Sequence, residues 1–271
     1  MICAGIDAGS RTTKAVLWDA TRNAIVAQGS VFEGVERPGL AQELLTQLLA
    51  DNGLERRQVA ATVATGYGRN LIEFADTTIT EITCHARGVR HWAPAARTII
   101  EIGGQDSKLI RLDAHGAVRD FAMNDRCAAG SGRFLEMVAG RLGVPLPRLG
   151  VLSQQSRAPT AISSMCVVFA ETEIIGLLAS GRAPADLAAG VQDAIAARVA
   201  AMAGRSLEAP VYFTGGVALI PSMATALATA LAQPVLISPE PMLTGALGAA
   251  MLAARGLAAD ETQRGPAATE A

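Results

Sequence analysis

No CxxC motif joins any of the four cysteines of this chain, which stand apart at Cys3, Cys84, Cys127 and Cys166. That absence argues against a single-chain ferredoxin site and a zinc ribbon, both of which draw on closely spaced thiols. A disulfide framework is not expected either, because four scattered cysteines in an intracellular chain do not make one. Histidine is as scarce: there are three, with no metal-ligand spacing among them. The net charge is -2 and no basic stripe appears, which removes the electrostatic footprint of a nucleic-acid binder. Charged, glycine and proline residues interrupt every apolar run before it reaches membrane-spanning length. The opening Met1-Ile2-Cys3-Ala4-Gly5 has no basic region ahead of an apolar stretch, so no signal peptide is expected and a cytoplasmic location is. Neither GxxxxGK[ST] nor a GxGxxG after a strand occurs, so two common nucleotide motifs are missing.

Half of the 271 residues are hydrophobic, enough for one domain or two small lobes. Cys3 to Asp7, Lys14 to Trp18 and Ala24 to Gln28 read as a three-strand meander. Leu40, Leu44, Leu45, Leu48 and Leu49 share one helical face, Gln58 to Ala64 is a strand, and Glu81 to His91 is a helix. The series then begins again. Arg97 to Ile102, Ser107 to Leu112 and Ala117 to Phe121 are strands, followed by helices over Gly130 to Leu142, Val168 to Ala179 and Pro184 to Ala203. Val211 to Thr214 is a strand, and Pro221 to Ala232 and Leu243 to Ala254 are helices. A strand-turn-strand-strand-helix pattern therefore occurs twice, and the expected architecture is α/β, with two similar lobes and a cleft between them. The N-terminal lobe covers 1–94 and the C-terminal lobe 95–242. A C-terminal helix over 243–257 can pack back on the first lobe, and 258–271 reads as a disordered tail.

Three glycine-rich turns follow strands. Asp7-Ala8-Gly9-Ser10-Arg11-Thr12-Thr13-Lys14 places small and hydroxyl residues after an acidic strand end, which lets backbone N–H groups approach phosphate. Asp7 is suited to hold Mg²⁺ directly or through water. The plain alternative is a hairpin closed by a Gly-Ser turn. Glu101-Ile102-Gly103-Gly104-Gln105-Asp106-Ser107 repeats the arrangement, and Phe213-Thr214-Gly215-Gly216-Val217-Ala218 opens into glycines ahead of a helix.

Two cysteines lie beside small residues ahead of helices, Cys127 in Asn124 to Phe134 and Cys166 in Ser163 to Glu171. A thiol at a helix N-terminus is favoured as thiolate, the metal-binding form. Two such thiols are half of a [4Fe-4S] donor set, and a two-fold dimer would complete it. Free cysteine is equally a common core filler, and that reading stands beside the first. It is the preferred reading for Cys3 and for Cys84, next to His85.

The three turns, in this order, resemble those of the actin/Hsp70/sugar-kinase superfamily of ATPases. The resemblance implies that Gly9, Ser10, Thr12, Thr13, Lys14, Gly103, Gly104, Gln105 and Asp106 serve the phosphates of ATP or ADP with Mg²⁺. It implies that Gly215, Gly216 and Val217 meet the adenosine end. Asp7 and Glu101 are the candidates to position Mg²⁺ or the attacking water, and Gln105 is another for the water. With Thr65 to Asn70 and Ile102 to Asp106, the segments NDRCAAGSGRF and SSMCVVFAETE resemble the activators of 2-hydroxyacyl-CoA dehydratases and the related ATP-binding subunits of benzoyl-CoA reductase, over about residues 3–255. This second resemblance implies that Cys127 and Cys166 ligate one [4Fe-4S] cluster shared across a homodimer, or with a similar subunit. It also implies that ATP hydrolysis drives a low-potential electron, received from a ferredoxin or flavodoxin, to an acyl-CoA dehydratase or reductase. Glu101 stands where these activators often have aspartate, and Ser131 where they have threonine. A small-molecule kinase on the same fold, with structural cysteines, is the remote alternative.

Overall fold

The structure, a computed structural model, describes residues 1–32, 39–163, 166–204 and 207–264, the side chains of 258–264 excepted. The chain separates into two units, Met1–Gly88 with the residues from Leu243 onward, and Val89–Met242. The sequence places its first boundary after residue 94; the division falls instead inside a continuous helix, Glu81–Trp92.

The first unit is built on a five-stranded sheet. Strands β1 (Ile2–Ala8), β2 (Thr12–Asp19) and β3 (Ala24–Phe32) form the expected antiparallel meander. Asp19 accepts hydrogen bonds from the backbone N–H groups of Thr21 and Arg22, at 2.9 and 3.3 Å, and Asn23 takes the left-handed conformation that asparagine tolerates (φ 52°). Strand β4 (Val59–Thr65) joins β1 in parallel and β5 (Thr77–Thr78) joins β4, giving the order β3-β2-β1-β4-β5. Helix α1 (Leu40–Asp51) buries Leu45 and Leu49 with Ala4, Ile6 and Leu17, at about 2 kcal/mol for each leucine.

Helix α2 (Glu81–Trp92) and the last helix, Thr244–Arg264, belong to the same unit up to Gly88. The last helix packs on β1, β2 and β4 at backbone distance. A Cβ on Gly5 of β1 would lie 2.0 Å from the carbonyl of Ala246, and one on Gly248 would lie 1.8 Å from the carbonyl of Cys84. Glycine is required at both positions because backbone, not a flexible side chain, fills the space.

The second unit repeats the plan. Strands β6 (Thr98–Ile102), β7 (Ser107–Leu112) and β8 (Val118–Asn124) form an antiparallel meander, β9 (Val211–Thr214) joins β6 in parallel, and β10 (Val235–Ile237) joins β9. The order β10-β9-β6-β7-β8 is that of the first sheet, so the duplication extends from three strands to five. Helices α3 (Gly132–Arg141), α4 (Leu146–Ser153), α5 (Val167–Ala179), α6 (Pro184–Ala203) and α7 (Met223–Leu231) complete the unit, which makes the last helix α8. Its core joins Ile100, Ile102 and Leu109 to Phe134, Val138, Val191, Ile195 and Phe213.

The tail expected to be disordered, 258–271, is helical as far as Arg264: α8 meets no proline before Pro266 and continues. The rest of that tail, 265–271, lies outside the described residues. No helix among the described residues is long and apolar enough to cross a membrane.

Substituting Gly248→Ala should cost about 3 kcal/mol by overpacking. Gly140→Ala, at a helical glycine with nothing within 4 Å of the added carbon, should gain about 0.5 kcal/mol. Urea denaturation of the two variants measures both signs. A tolerated Gly248→Ala would mean that α8 is free to shift.

Candidate functional site

The first two glycine turns share one construction. In the first, the N–H of Gly9 donates to the carbonyl of Thr12 at 3.2 Å; in the second, the N–H of Gly103 donates to the carbonyl of Asp106 at 3.0 Å. Each turn puts an acid and a lysine opposite one another on adjacent strands, Asp7 with Lys14 and Glu101 with Lys108. Directly opposed residues have neighbouring Cβ atoms, so such a pair forms an ion pair across the turn. Lys14 Nζ lies 3.3 Å from Asp7 Oδ2. Lys108 Nζ lies 2.8 Å from Glu101 Oε2 and 2.7 Å from Asp106 Oδ2, with its side chain 1% exposed. Where the second turn has Asp106, the first has Thr12, so the second turn sets two carboxylates against one ammonium.

The third turn lies against the second. Strand β9 runs beside β6 with Thr214 opposite Glu101. Gly215 takes φ 89°, and a Cβ there would lie 2.4 Å from the carbonyl of Ile102 and 2.7 Å from Glu101 Oε1. Its N–H donates to the carbonyl of Pro241 at 2.9 Å, and Thr214 Oγ1 donates to the same oxygen at 2.7 Å. A 3₁₀ turn, Gly216–Leu219, follows and buries Val217. Glu101, Gly103, Asp106 and Gly215 therefore form one local group, and Gln105 is exposed beside it.

The Cys127 segment is hydrogen-bonded directly to this group. Asn124 Nδ2 donates to the carbonyl of Cys127 at 2.9 Å, and a 3₁₀ turn, Ala128–Gly130, follows. Helix α3 then starts at Gly132, two residues later than the sequence implies. Its first N–H groups, which have no partner within the helix, donate to the second turn: Gly132 to Gly103 and Arg133 to Gly104, each at 2.9 Å. Cys127 is half-buried and Cys166, just before α5, is exposed. Glu173 Oε1 holds the approach to Cys166 by accepting from the N–H and Oγ of Ser163, each at 2.8 Å. Arg141 of α3 pairs with Glu171 of α5. Ser164 and Met165 lie outside the described residues.

The other two cysteines differ in kind. Cys3 and Cys84 are fully buried, and burial pushes the Cys84 thiol up to about 12, with the Asp7 carboxylate adding to the shift. Among the described residues no three His, Cys, Asp or Glu side chains converge as a metal site. Cys127 and Cys166 are the accessible thiols, two where a [4Fe-4S] cluster takes four.

In the first unit, the Thr65 to Asn70 loop backs the first turn. A Cβ on Gly66 (φ 88°) would lie 2.5 Å from Asp7 Oδ1, and the N–H of Gly68 donates to the carbonyl of Ala8 at 2.8 Å. A cavity of about 610 Å³ lies beside it, lined by Gly9, Thr13, Leu40, Tyr67, Leu71 and Phe74 among others. Lys108 is the residue of this site that sequence reasoning missed. The signal was present as equal spacing, since Glu101 to Lys108 repeats Asp7 to Lys14.

The chain matches the BadF/BadG/BcrA/BcrD ATPase family over residues 4–253. It is 44% identical over 254 residues to the activator of lactoyl-CoA dehydratase of Anaerotignum propionicum, which covers 93% of this chain and 97% of that protein. It is 32% identical over 266 residues to one subunit of the benzoyl-CoA reductase of Thauera aromatica, covering 92% of each. The solved activator of the 2-hydroxyisocaproyl-CoA dehydratase from Clostridium difficile, with bound ADPNP, matches with a TM-score of 0.91 at 38% identity over 100% of both chains. The fold is that of the actin/Hsp70/sugar-kinase type, as the three turns imply.

Lys108→Met leaves two carboxylates without their buried cation and should cost about 4 kcal/mol. Lys14→Met, at a more exposed and longer pair, should cost clearly less. Urea unfolding of both variants at neutral pH makes the comparison, and equal losses would contradict the triad's role.

Proposed function

From its place in the BadF/BadG/BcrA/BcrD ATPase family, to which the chain belongs, we propose that it is an ATP-hydrolysing activator of a 2-hydroxyacyl-CoA dehydratase. In this reading two copies share one [4Fe-4S] cluster and pass a low-potential electron to the dehydratase in the cytoplasm, with a ferredoxin or flavodoxin as donor. The activator names of the relatives and the bound ATP analogue in the C. difficile structure support the partner and the nucleotide. One observation carries the coupling: the carbonyls of Gly103 and Gly104 accept the first N–H groups of α3, five residues beyond Cys127.

The residues divide the work. The phosphates are assigned to Ser10, Thr12, Thr13 and Lys14 of the first turn and to Gly104, Gln105 and Asp106 of the second, while the N–H groups of Gly9 and Gly103 close the turns. Asp7 and Glu101 hold Mg²⁺ or orient the attacking water. Positioning and charge stabilisation carry phosphoryl transfer, so no covalent nucleophile is needed. Gly215, Gly216 and Val217 take the adenosine end. When the second turn adjusts to the γ-phosphate, the two carbonyl contacts move the start of α3, and Cys127 with it.

Cys127 and Cys166 of each copy supply the thiolates. When bound, the cluster supplies a one-electron couple, for which about 59 mV corresponds to a tenfold change in equilibrium. Beside Cys166, Val168 and Phe169 of α5 are 67% and 70% exposed, an apolar surface that a second copy would cover. The likeness to a component of benzoyl-CoA reductase favours a second reading, in which a similar but non-identical chain supplies the other two thiols.

Iron and acid-labile sulfide content after purification without air tests the proposal. About two of each per chain, lost in Cys127→Ser/Cys166→Ser, is the expected result. No iron after anaerobic reconstitution of the chain alone would overturn the homodimer and direct attention to a non-identical partner chain.

A further inference from the structure

The carboxylate of Asp7 has a neighbour that the phosphate turns do not include. A Cβ on Gly245, in the first turn of α8, would lie 2.9 Å from Asp7 Oδ2 and 3.2 Å from His85 Cε1. The carboxylate and the imidazole thus press on the same glycine. His85, in α2, is 4% exposed, and its Nδ1 lies 2.8 Å from Oγ1 of Thr244, which is fully buried at the start of α8. Two backbone approaches flank this bond. A Cβ on Gly88 would lie 1.9 Å from the carbonyl of Thr244, and Gly248 admits the carbonyl of Cys84. The glycines set how closely α2 and α8 approach, and the side-chain bond sets how α8 is turned against Asp7.

We propose that His85 is a positioning residue for ATP hydrolysis: by bonding Thr244 it holds the start of α8, and with it Gly245, against the Asp7 carboxylate. The inference rests on the reading of Asp7 as the group that holds Mg²⁺ or the attacking water. Gly66 walls the other carboxylate oxygen, Oδ1, and Lys14 Nζ stands 3.3 Å from Oδ2. The positive end of α8 faces the same carboxylate. With α8 fixed, Asp7 has one orientation before nucleotide arrives. With α8 loosened, it can turn toward Lys14, and a small misplacement is costly in a reaction that depends on alignment. The turns that hold the phosphates do not contain His85, so nucleotide affinity is independent of it.

Steady-state ATP hydrolysis by the full chain, purified without air, tests this in four variants. Thr244→Val and His85→Leu remove the bond; Thr244→Ser and His85→Asn keep a hydrogen-bonding group in place. The first two should lower kcat about tenfold with KM for ATP within about twofold, and the conservative two should recover most of the rate. Full kcat in Thr244→Val and His85→Leu, or a loss that Thr244→Ser and His85→Asn do not repair, overturns the proposal. Asp7→Asn separates the layers. If that variant hydrolyses ATP normally, the role of Asp7 falls and the proposal with it. If it is inactive while Thr244→Val is unaffected, this proposal alone falls.

Discussion

A single buried ammonium, Lys108, held between Glu101 and Asp106, fixes the second glycine turn. A cation this deep persists only where its charge is answered, so the two carboxylates have little freedom. Asp106 closes the turn through its carbonyl, and Gly103 and Gly104 then present their own carbonyls to the start of α3. Gly215 fits against Glu101 because it has no side chain. The second and third turns and the approach to Cys127 are therefore one hydrogen-bonded body. A change at any member is felt by the rest.

The first turn reaches a similar end by other means. Its lysine answers one carboxylate, and Thr12 occupies the position of the second acid. Rigidity comes from packing: Gly66 on one side of Asp7 and Gly245 on the other bring backbone against the carboxylate. Helix α8 is rich in alanine and glycine for the same reason, since close approach to β1 and α2 leaves no room for larger groups. The two units thus share a strand order while using charge in one case and close packing in the other.

Much of this was legible in the residues. Meander strands and glycine turns follow from alternation and from acidic strand ends, and both occur twice. Short elements were not legible. Strands β5 and β10 are two and three residues long and take their structure from the neighbour they pair with. Helix α4 carries Pro147 and Gly150, which blur its periodicity. At the site, Cys127 and Cys166 stood out through their small neighbours, and the structure separates them from the buried Cys3 and Cys84 by exposure. Lys108 was hidden because a lysine in a strand reads as a solvent-facing residue unless its carboxylates are known to converge. His85 and Thr244 lie 159 positions apart, a pairing that only the folded chain reveals.

In the proposed coupling, nucleotide at the glycine turns alters the surroundings of a cluster held by Cys127 and Cys166. The most direct measurement is the electron paramagnetic resonance spectrum of the anaerobic, reduced protein, recorded without nucleotide and with Mg²⁺ and a non-hydrolysable ATP analogue. A reduced-cluster signal whose shape changes when the analogue is added is the expected result. A signal identical with and without nucleotide in the native chain would contradict it.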